Sequence, residues 1–422
     1  MEKIIYDTYI NILHEELRPA MGCTEPIALA YCGAKAKKLL GQAVKKIAVY
    51  VSGNIIKNVK SVIVPNTDGM RGIETAVVAG IIAGDESLGL EVISRVNENQ
   101  IQEIKTALNT LPITIEAIDD SDVLDIIIEV FGLENKARVR ITGAHTNIVE
   151  MSLNDEVVYA SSLEKQKDEF QLDRSLLNVK NIFEFTNIVD IDDVNTLINQ
   201  QIDYNTAISK EGLKNEYGAN IGKILLKTNQ DIATKAKAWA AAGSDARMSG
   251  CDLPVVINSG SGNQGMTASL PVIAYANELI VSQEKLIRAL VLSNLITIHQ
   301  KTGIGKLSAY CGAVSAGIGA ACGIAYLYDE NVETIAHTII NGLAIVSGMV
   351  CDGAKPSCAA KIVSSVDAGL MGYQMYKHGQ MFKEGDGLVS TCVEETIKNI
   401  GRLSSLGMKE TDKEILRIMI EC

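Results

Sequence analysis

Three cysteines carry the most reactive side chains of this sequence, and all three lie beside residues that break helices. Cys311 follows the stretch KTGIGKLSAY, and Cys351 and Cys358 stand seven positions apart in GMVCDGAKPSC. The Asp-Gly and Lys-Pro pairs between the last two cannot continue a regular helix. Thiols on such a turn can form a disulfide, bind a metal, act in catalysis or simply pack. Their spacing alone leaves these four interpretations open.

The cysteine count narrows these interpretations. The chain has nine cysteines, an odd number, and no C-x₂-C pair that would indicate a zinc finger or ribbon. Its amino terminus, MEKIIYDTYINILHEEL, is charged from the second residue and lacks the apolar segment of a signal peptide. We therefore expect a soluble cytoplasmic protein whose thiols are reduced or bound to metal. Iron–sulfur clusters favour turns of this kind, because freed backbone N–H groups donate to the sulfides.

A second candidate site is the stretch NSGSGNQGMTASLPV, residues 258–272, which is rich in small residues. Small residues let a backbone approach a ligand closely, and a helix that begins after them points its N–H groups at an anion. The stretch lacks the Gly-Lys-Ser/Thr ending of a phosphate loop. We interpret it as a site for a small acid, the alternative being a flexible connector. The residues expected to form this site are Asn258, Ser259, Gly260, Ser261, Gly262 and Asn263.

Two residues are candidates for acid–base chemistry. Cys23 in GCTEP lies just before a helix that Thr24 can cap and whose first turn suits Pro26, so the helix dipole would favour a thiolate. His145 in GAHTN follows a predicted strand and is one of only five histidines. It suits proton transfer near neutral pH, and a structural histidine with satisfied hydrogen bonds is the alternative. The loop KTGIGK adds Lys306, which either binds substrate or is solvated.

The periodicity of apolar residues predicts an α+β fold in three parts. Residues 1–43 contain two helical patterns, which we expect to pack with the catalytic domain. Residues 44–165 combine strand patterns such as KKIAVYVSG and VLDIIIEVF with helical ones, and they predict a smaller α/β domain. Residues 166–422 are predicted to be mostly helical. Gly-rich interruptions in this part indicate a site built from helix ends and loops.

The composition excludes several classes of function. The net charge is −12, and no stripe of Lys and Arg indicates nucleic-acid binding. The longest apolar stretch, residues 312–327, is too short to span a membrane. A small-molecule substrate is therefore the expected partner. The Gly- and Ala-rich helices are also compatible with a homodimer.

Four separated motifs together resemble a known family. They are GCTEP, NSGSGNQGMTASLPV, KTGIGKLSAYCGAVSAG and SGMVCDGAKPSC, and they look like the L-cysteine desulfidase branch of the iron–sulfur L-serine dehydratase (alpha chain) family. The resemblance implies an oxygen-sensitive 4Fe-4S enzyme that works without pyridoxal phosphate. It also implies a mostly helical catalytic domain joined to a smaller α/β domain similar to the serine dehydratase beta chain.

The resemblance assigns roles to residues of these motifs. The loop at 258–263 matches the segment expected to hold the substrate carboxylate. Cys23 matches a cysteine characteristic of the desulfidases, and Cys422, the last residue, matches a terminal cysteine that can fold back onto the open iron in serine dehydratases. The residues that match the three cluster cysteines are Cys311, Cys351 and Cys358.

The implied reaction is β-elimination from L-cysteine, which gives pyruvate, ammonia and sulfide. A base must remove the Cα proton, and Cys23 and His145 are the candidates. Lys306 and Asp352 join the 258–263 loop as candidates for holding the amine and the carboxylate of the substrate. Three alternatives stay open: L-serine as the substrate, a non-catalytic cysteine or redox sensor, and a protein that binds no iron.

Overall fold

The computed structural model of the chain describes residues 1–118, 122–161, 172–305 and 308–421. In this part of the chain helices predominate, and a six-stranded sheet is the largest β-structure. The prediction of an α+β fold, with a mostly helical part and a smaller α/β part, is confirmed. None of the helices described is both long and apolar enough to cross a membrane.

The bounds of the regular elements follow the apolar periodicity of the sequence. In chain order the helices are α1 (Lys3–Glu16), α2 (Thr24–Leu40), α3 (Gly53–Val59), α4 (Gly72–Ala83), α5 (Glu98–Thr110), α6 (Val179–Ile188), α7 (Ile191–Lys214), α8 (Ile221–Thr228), α9 (Ile232–Met248), α10 (Gly262–Leu279), α11 (Gln283–Ile304), α12 (Ala313–Leu327), α13 (Val332–Ile345), α14 (Cys358–Lys377), α15 (Val393–Arg402) and α16 (Lys409–Glu421). The strands are β1 (Pro19–Met21), β2 (Lys46–Val51), β3 (Ile113–Ala117), β4 (Asp125–Phe131), β5 (Lys136–Thr142), β6 (Ile148–Leu153), β7 (Glu156–Ala160) and β8 (Pro254–Val256).

The large sheet has the strand order β3-β2-β4-β5-β6-β7. β2 and β3 are parallel, and the other neighbouring strands are antiparallel. Its central strands are apolar because helices cover them: Ile128 of β4 is fully buried and pairs in register with Val49 and Val139. The sulfur of Cys32 in α2 lies 3.5 Å from the Val139 carbonyl oxygen, which places α2 directly on the sheet.

Two large hydrophobic cores organise the molecule. One lies among α1, α6, α7 and the helices from α9 to α15, and the other lies between the large sheet and the helices α2 to α5. Residues 1–43 therefore contribute α1 to the helical core and α2 to the sheet core. Small residues permit the close packing: a Cβ atom on Gly317 of α12 would lie 2.6 Å from the Ser365 carbonyl oxygen of α14.

Two further contacts join the cores around one region. β1 pairs with β8 in a small antiparallel ribbon, which connects the segment before Cys23 to the segment before Asn258. At the other end of the chain, α16 packs on α3, where Lys57 forms an ion pair with Asp412. Residues next to both contacts line the candidate site: Cys23 and Ser259 beside the ribbon, and Lys57 in α3.

Candidate active site

A pair of backbone hydrogen bonds brings two of the predicted cluster cysteines together. The Cys311 amide donates to the Met349 carbonyl at 2.9 Å, and the Cys351 amide donates to the Ala309 carbonyl at 2.6 Å. The two segments thus form a short antiparallel bridge centred on Tyr310. The adjacent thiols interact, and this interaction lowers the pKa of Cys351 and raises the pKa of Cys311.

The other two thiols reach the same cavity from different elements. Cys358 is the first residue of α14, and its amide donates to the Lys355 carbonyl at 2.9 Å. Cys23 lies at the start of α2 in a buried cluster with Val62 and Met248, and Cys358 packs against this cluster. All four thiols line one cavity, whose volume is about 110 Å³. The structure therefore gathers sulfur atoms from positions that are up to 335 residues apart, Cys23 and Cys358.

The donor set suits an iron–sulfur cluster better than a single hard cation. Thiolates are soft ligands that select iron–sulfur clusters and zinc, whereas carboxylates and carbonyls suit magnesium or calcium. Within the described residues, no three His, Cys, Asp or Glu side chains come together closely enough to hold one metal ion. In a 4Fe-4S cluster each thiolate would bind a different iron, so the adjacent thiols of Cys311 and Cys351 would have to move apart. Buried cations also line the cavity, and they would offset thiolate charge: Lys57, Arg247 and Lys301.

The predicted anion-binding loop forms one wall of this cavity. Ser259 and Gly260 have φ of 50° and 80°, and Ser261 is the residue before α10. Of the residues predicted to form a substrate loop, Ser259, Gly260, Ser261 and Asn263 line the cavity, and Gly262 does not. Asn258 does not: its Nδ2 donates to Asn294 Oδ1 at 2.9 Å, and its Oδ1 accepts from Ser259 at 2.8 Å.

Both acid–base candidates line the cavity and lie next to this loop. His145 is buried, and a Cβ atom added at Gly260 would lie 3.5 Å from His145 Cε1. Thr24 Oγ1 lies 3.0 Å from the Gly260 carbonyl oxygen, so the start of α2 touches the loop as well. Burial raises the pKa of Cys23 to about 12, and the nearby Arg247 only partly opposes this effect. The sequence predicts a thiolate at the start of α2. In the structure burial outweighs the helix dipole and favours the protonated thiol at neutral pH.

Of three other predicted site residues, one does not line the cavity and two cannot be compared with it. The carboxylate of Asp352 does not line the cavity; it forms ion pairs with Lys355 and Lys361. Lys306 and Cys422 lie outside the described residues.

The sequence did not identify several charged residues of this cavity. Arg247 is a cation within AAAGSDARMSG, a helical run of small residues, and that contrast was the available signal. Lys301 is the first lysine of KTGIGK and is buried at the end of α11, where burial lowers its pKa to about 8. Glu25 and Lys57 come from the sheet side of the site. Their positions depend on contacts between distant segments, which periodicity does not predict.

Comparison with known proteins shows the family to which this chain belongs. The family described as serine dehydratase alpha chain matches residues 87–417. A UPF0597 protein of Desulfitobacterium hafniense (strain Y51) is 56% identical, over 98% of this chain and 97% of that protein. UPF0597 proteins of Finegoldia magna and Lachnoclostridium phytofermentans are 49% and 48% identical, over 98% and 99% of this chain and 99% and 100% of theirs. The family-level resemblance is thus confirmed, and the chain belongs to the serine dehydratase alpha chain family.

Proposed function

We propose that this protein is an iron–sulfur-dependent lyase that eliminates the β-substituent of a small L-amino acid, with L-cysteine as its substrate. The products are pyruvate, ammonia and sulfide. The observation that carries this proposal is the gathering of Cys311, Cys351 and Cys358 in one cavity with residues of the 259–263 loop and His145. Family membership supports a lyase of the serine dehydratase type.

The three thiolates of Cys311, Cys351 and Cys358 would hold a 4Fe-4S cluster. When bound, such a cluster supplies an iron without a protein ligand, which acts as a Lewis acid toward the leaving β-substituent. The short bridge around Tyr310 fixes two of these cysteines, and the start of α14 fixes the third. No pyridoxal phosphate is required by this proposal.

The protein's own residues would bind the substrate and move its protons. The loop at 259–263 holds the carboxylate, and His145, packed against Gly260, removes the Cα proton. The pair of electrons left on Cα forms the Cα=Cβ bond while the Cβ–S bond breaks and sulfide leaves. The resulting 2-aminoacrylate takes up water and gives pyruvate and ammonia. Cys23, as a protonated thiol in the same cavity, would contact the departing sulfur.

The surroundings of Cys23 support L-cysteine over L-serine. Cys23 forms a sulfur-bearing wall of the cavity and packs in a buried apolar cluster with Val62 and Met248. A thiol loses little when it leaves water for such a wall, whereas a hydroxyl loses strong hydrogen bonds. The family description favours L-serine instead, so the two substrates must be compared directly.

The test is anaerobic reconstitution with iron and sulfide, followed by assays of pyruvate and sulfide with L-cysteine and with L-serine. Equimolar pyruvate and sulfide from L-cysteine, at a higher kcat/KM than pyruvate from L-serine, would support the proposal. A preference for L-serine would make the protein a serine dehydratase. A reconstituted protein with bound iron and no turnover of either amino acid would contradict a lyase and favour a redox sensor.

A further inference from the structure

Arg247 is a buried cation that the proposed reaction does not yet use. Its side chain lines the cavity, and the residue is only 4% exposed. Nη1 donates to Asn263 Oδ1 at 3.2 Å, but Nε has no hydrogen-bond partner among the described residues. Among the described residues, no carboxylate forms an ion pair with the Arg247 guanidinium. Because a buried, unpaired charge is costly, this guanidinium indicates an anion that is absent from the protein itself.

The guanidinium lies against the start of α10. A Cβ atom on Gly262, the first residue of this helix, would be 2.8 Å from Arg247 Cζ, so only glycine leaves room for the arginine here. The amides of the first turn of α10 have no acceptor within the helix, and the helix dipole makes this end positive. A planar anion with two oxygens, such as a carboxylate, fits both sets of donors.

Glu25 supplies the opposite charge on another wall of the same cavity. It lies in the first turn of α2 and is partly buried. Asn58 Nδ2 donates to its Oε1 at 3.3 Å, and Thr24 Oγ1 lies 3.1 Å from its Oε2. No lysine or arginine in the described ranges pairs with this carboxylate. Arg247 and Glu25 shift the pKa of Cys23 in opposite directions, which places both charges close to that thiol.

We propose that Arg247, with the first turn of α10, binds the carboxylate of the substrate and that Glu25 binds its ammonium group. The cavity would then select zwitterionic α-amino acids over hydroxy acids, simple carboxylic acids and amines, because each of the latter leaves one buried charge without a partner. This inference rests on the proposed function for the identity of the substrate. Its binding test, however, needs no turnover.

The experiment measures binding of L-alanine to the reconstituted protein by calorimetry. L-Alanine carries both charges and has no β-substituent to eliminate; propionate lacks the ammonium, and ethylamine lacks the carboxylate. The wild-type protein should bind L-alanine at least tenfold more tightly than either. Arg247→Met should weaken both L-alanine and propionate at least tenfold, whereas Glu25→Gln should weaken L-alanine and leave propionate unchanged. Arg247→Lys, which keeps the charge and loses the Nε donor, should fall between wild type and Arg247→Met.

Controls separate binding from folding and from cluster assembly. Arg95→Met and Glu278→Gln change exposed residues that do not line the cavity, and both variants should bind L-alanine like the wild type. Iron content and the unfolding midpoint are measured for each variant. If Arg247→Met fails to fold, Glu25→Gln and Arg247→Lys still test the proposal.

Three outcomes would overturn the inference. The first is wild-type affinity for L-alanine in Arg247→Lys and Glu25→Gln. The second is a wild-type protein that binds L-alanine and propionate equally well or binds neither. The third is loss of iron in Arg247→Met at unchanged L-alanine affinity, which would assign the arginine to charge balance of the thiolates. Failure of the proposed function looks different: L-alanine binds as predicted, but L-cysteine yields no pyruvate.

Discussion

Gly353 tests how the turn between Cys351 and Cys358, here called the cysteine turn, is built. It lies between Cys351 and Cys358 with a φ of 92°, a conformation that residues with a Cβ rarely adopt. A Cβ atom there would also meet the backbone of Lys57 in α3, at 3.2 Å from its carbonyl carbon and closer still to its oxygen. The turn is therefore held against the sheet side of the site by a contact that only glycine permits.

The expected cost of Gly353→Ala can be worked from these two effects. Placing alanine at a positive φ costs about 1–2 kcal/mol, and forcing a methyl group against backbone costs about 1–3 kcal/mol. The free energy of unfolding should therefore fall by about 2–5 kcal/mol. Because the same shift displaces the turn between two proposed cluster ligands, the iron content after reconstitution should fall as well.

The matched control is Gly348→Ala in the same segment. Gly348 does not have a positive φ, and a Cβ atom there would meet nothing within 4 Å. This variant should change the free energy of unfolding by no more than about 0.5 kcal/mol. Urea unfolding gives the free energy of unfolding of both variants for comparison. Equal stability of the two variants would refute the argument that the cysteine turn docks on α3.

Three further predictions concern the surroundings of the site. Burial raises the pKa of Asp245 from 3.8 to about 6, so the cost of its charge builds up between these two pH values and is full above pH 6. Asp245→Asn should therefore stabilise by up to about 3 kcal/mol at pH 8, and by about 1 kcal/mol less at pH 5, in urea unfolding at both pH values. Asp412→Leu should cost about 1–3 kcal/mol by leaving Lys57 buried without its ion-pair partner, and adding Lys57→Met should recover most of this loss in a double-mutant cycle; a loss that is not recovered would contradict the pairing. Gly265→Ala would press a Cβ atom on the Val256 carbonyl, so it should cost about 1–3 kcal/mol and weaken L-alanine binding in calorimetry, because the first turn of α10 must move away from β8.

The parts of the fold that sequence predicts well are those set by local patterns. Strand patterns such as VLDIIIEVF and the long helical stretches fixed the α+β class, because side-chain periodicity reports which face of an element is buried. The same reasoning does not say which core an element joins. α2 has a helical pattern like that of α1, yet it packs on the sheet while α1 packs in the helical core. That choice depends on long-range packing rather than on the helix itself.

The candidate site divides in a similar way. Breaker-rich segments predicted where Cys311 and Cys358 would lie, because loops and helix ends are local features. Asn258 and Asp352 are predicted to bind substrate, but their side chains pair with residues of α11 and α14 instead. The sequence does not identify Arg247, because its burial depends on Gly262, a residue of the next helix.

The central claim is that Cys311, Cys351 and Cys358 hold a 4Fe-4S cluster. The most direct measurement is iron and acid-labile sulfide per chain after anaerobic reconstitution, in wild type, Cys351→Ala and the exposed-cysteine control Cys392→Ala. We expect about four iron atoms per chain, with the broad visible absorption of a cluster, in wild type and in Cys392→Ala, and loss of both in Cys351→Ala. Equal iron in Cys351→Ala and wild type, or no iron in any of the three, would contradict the account.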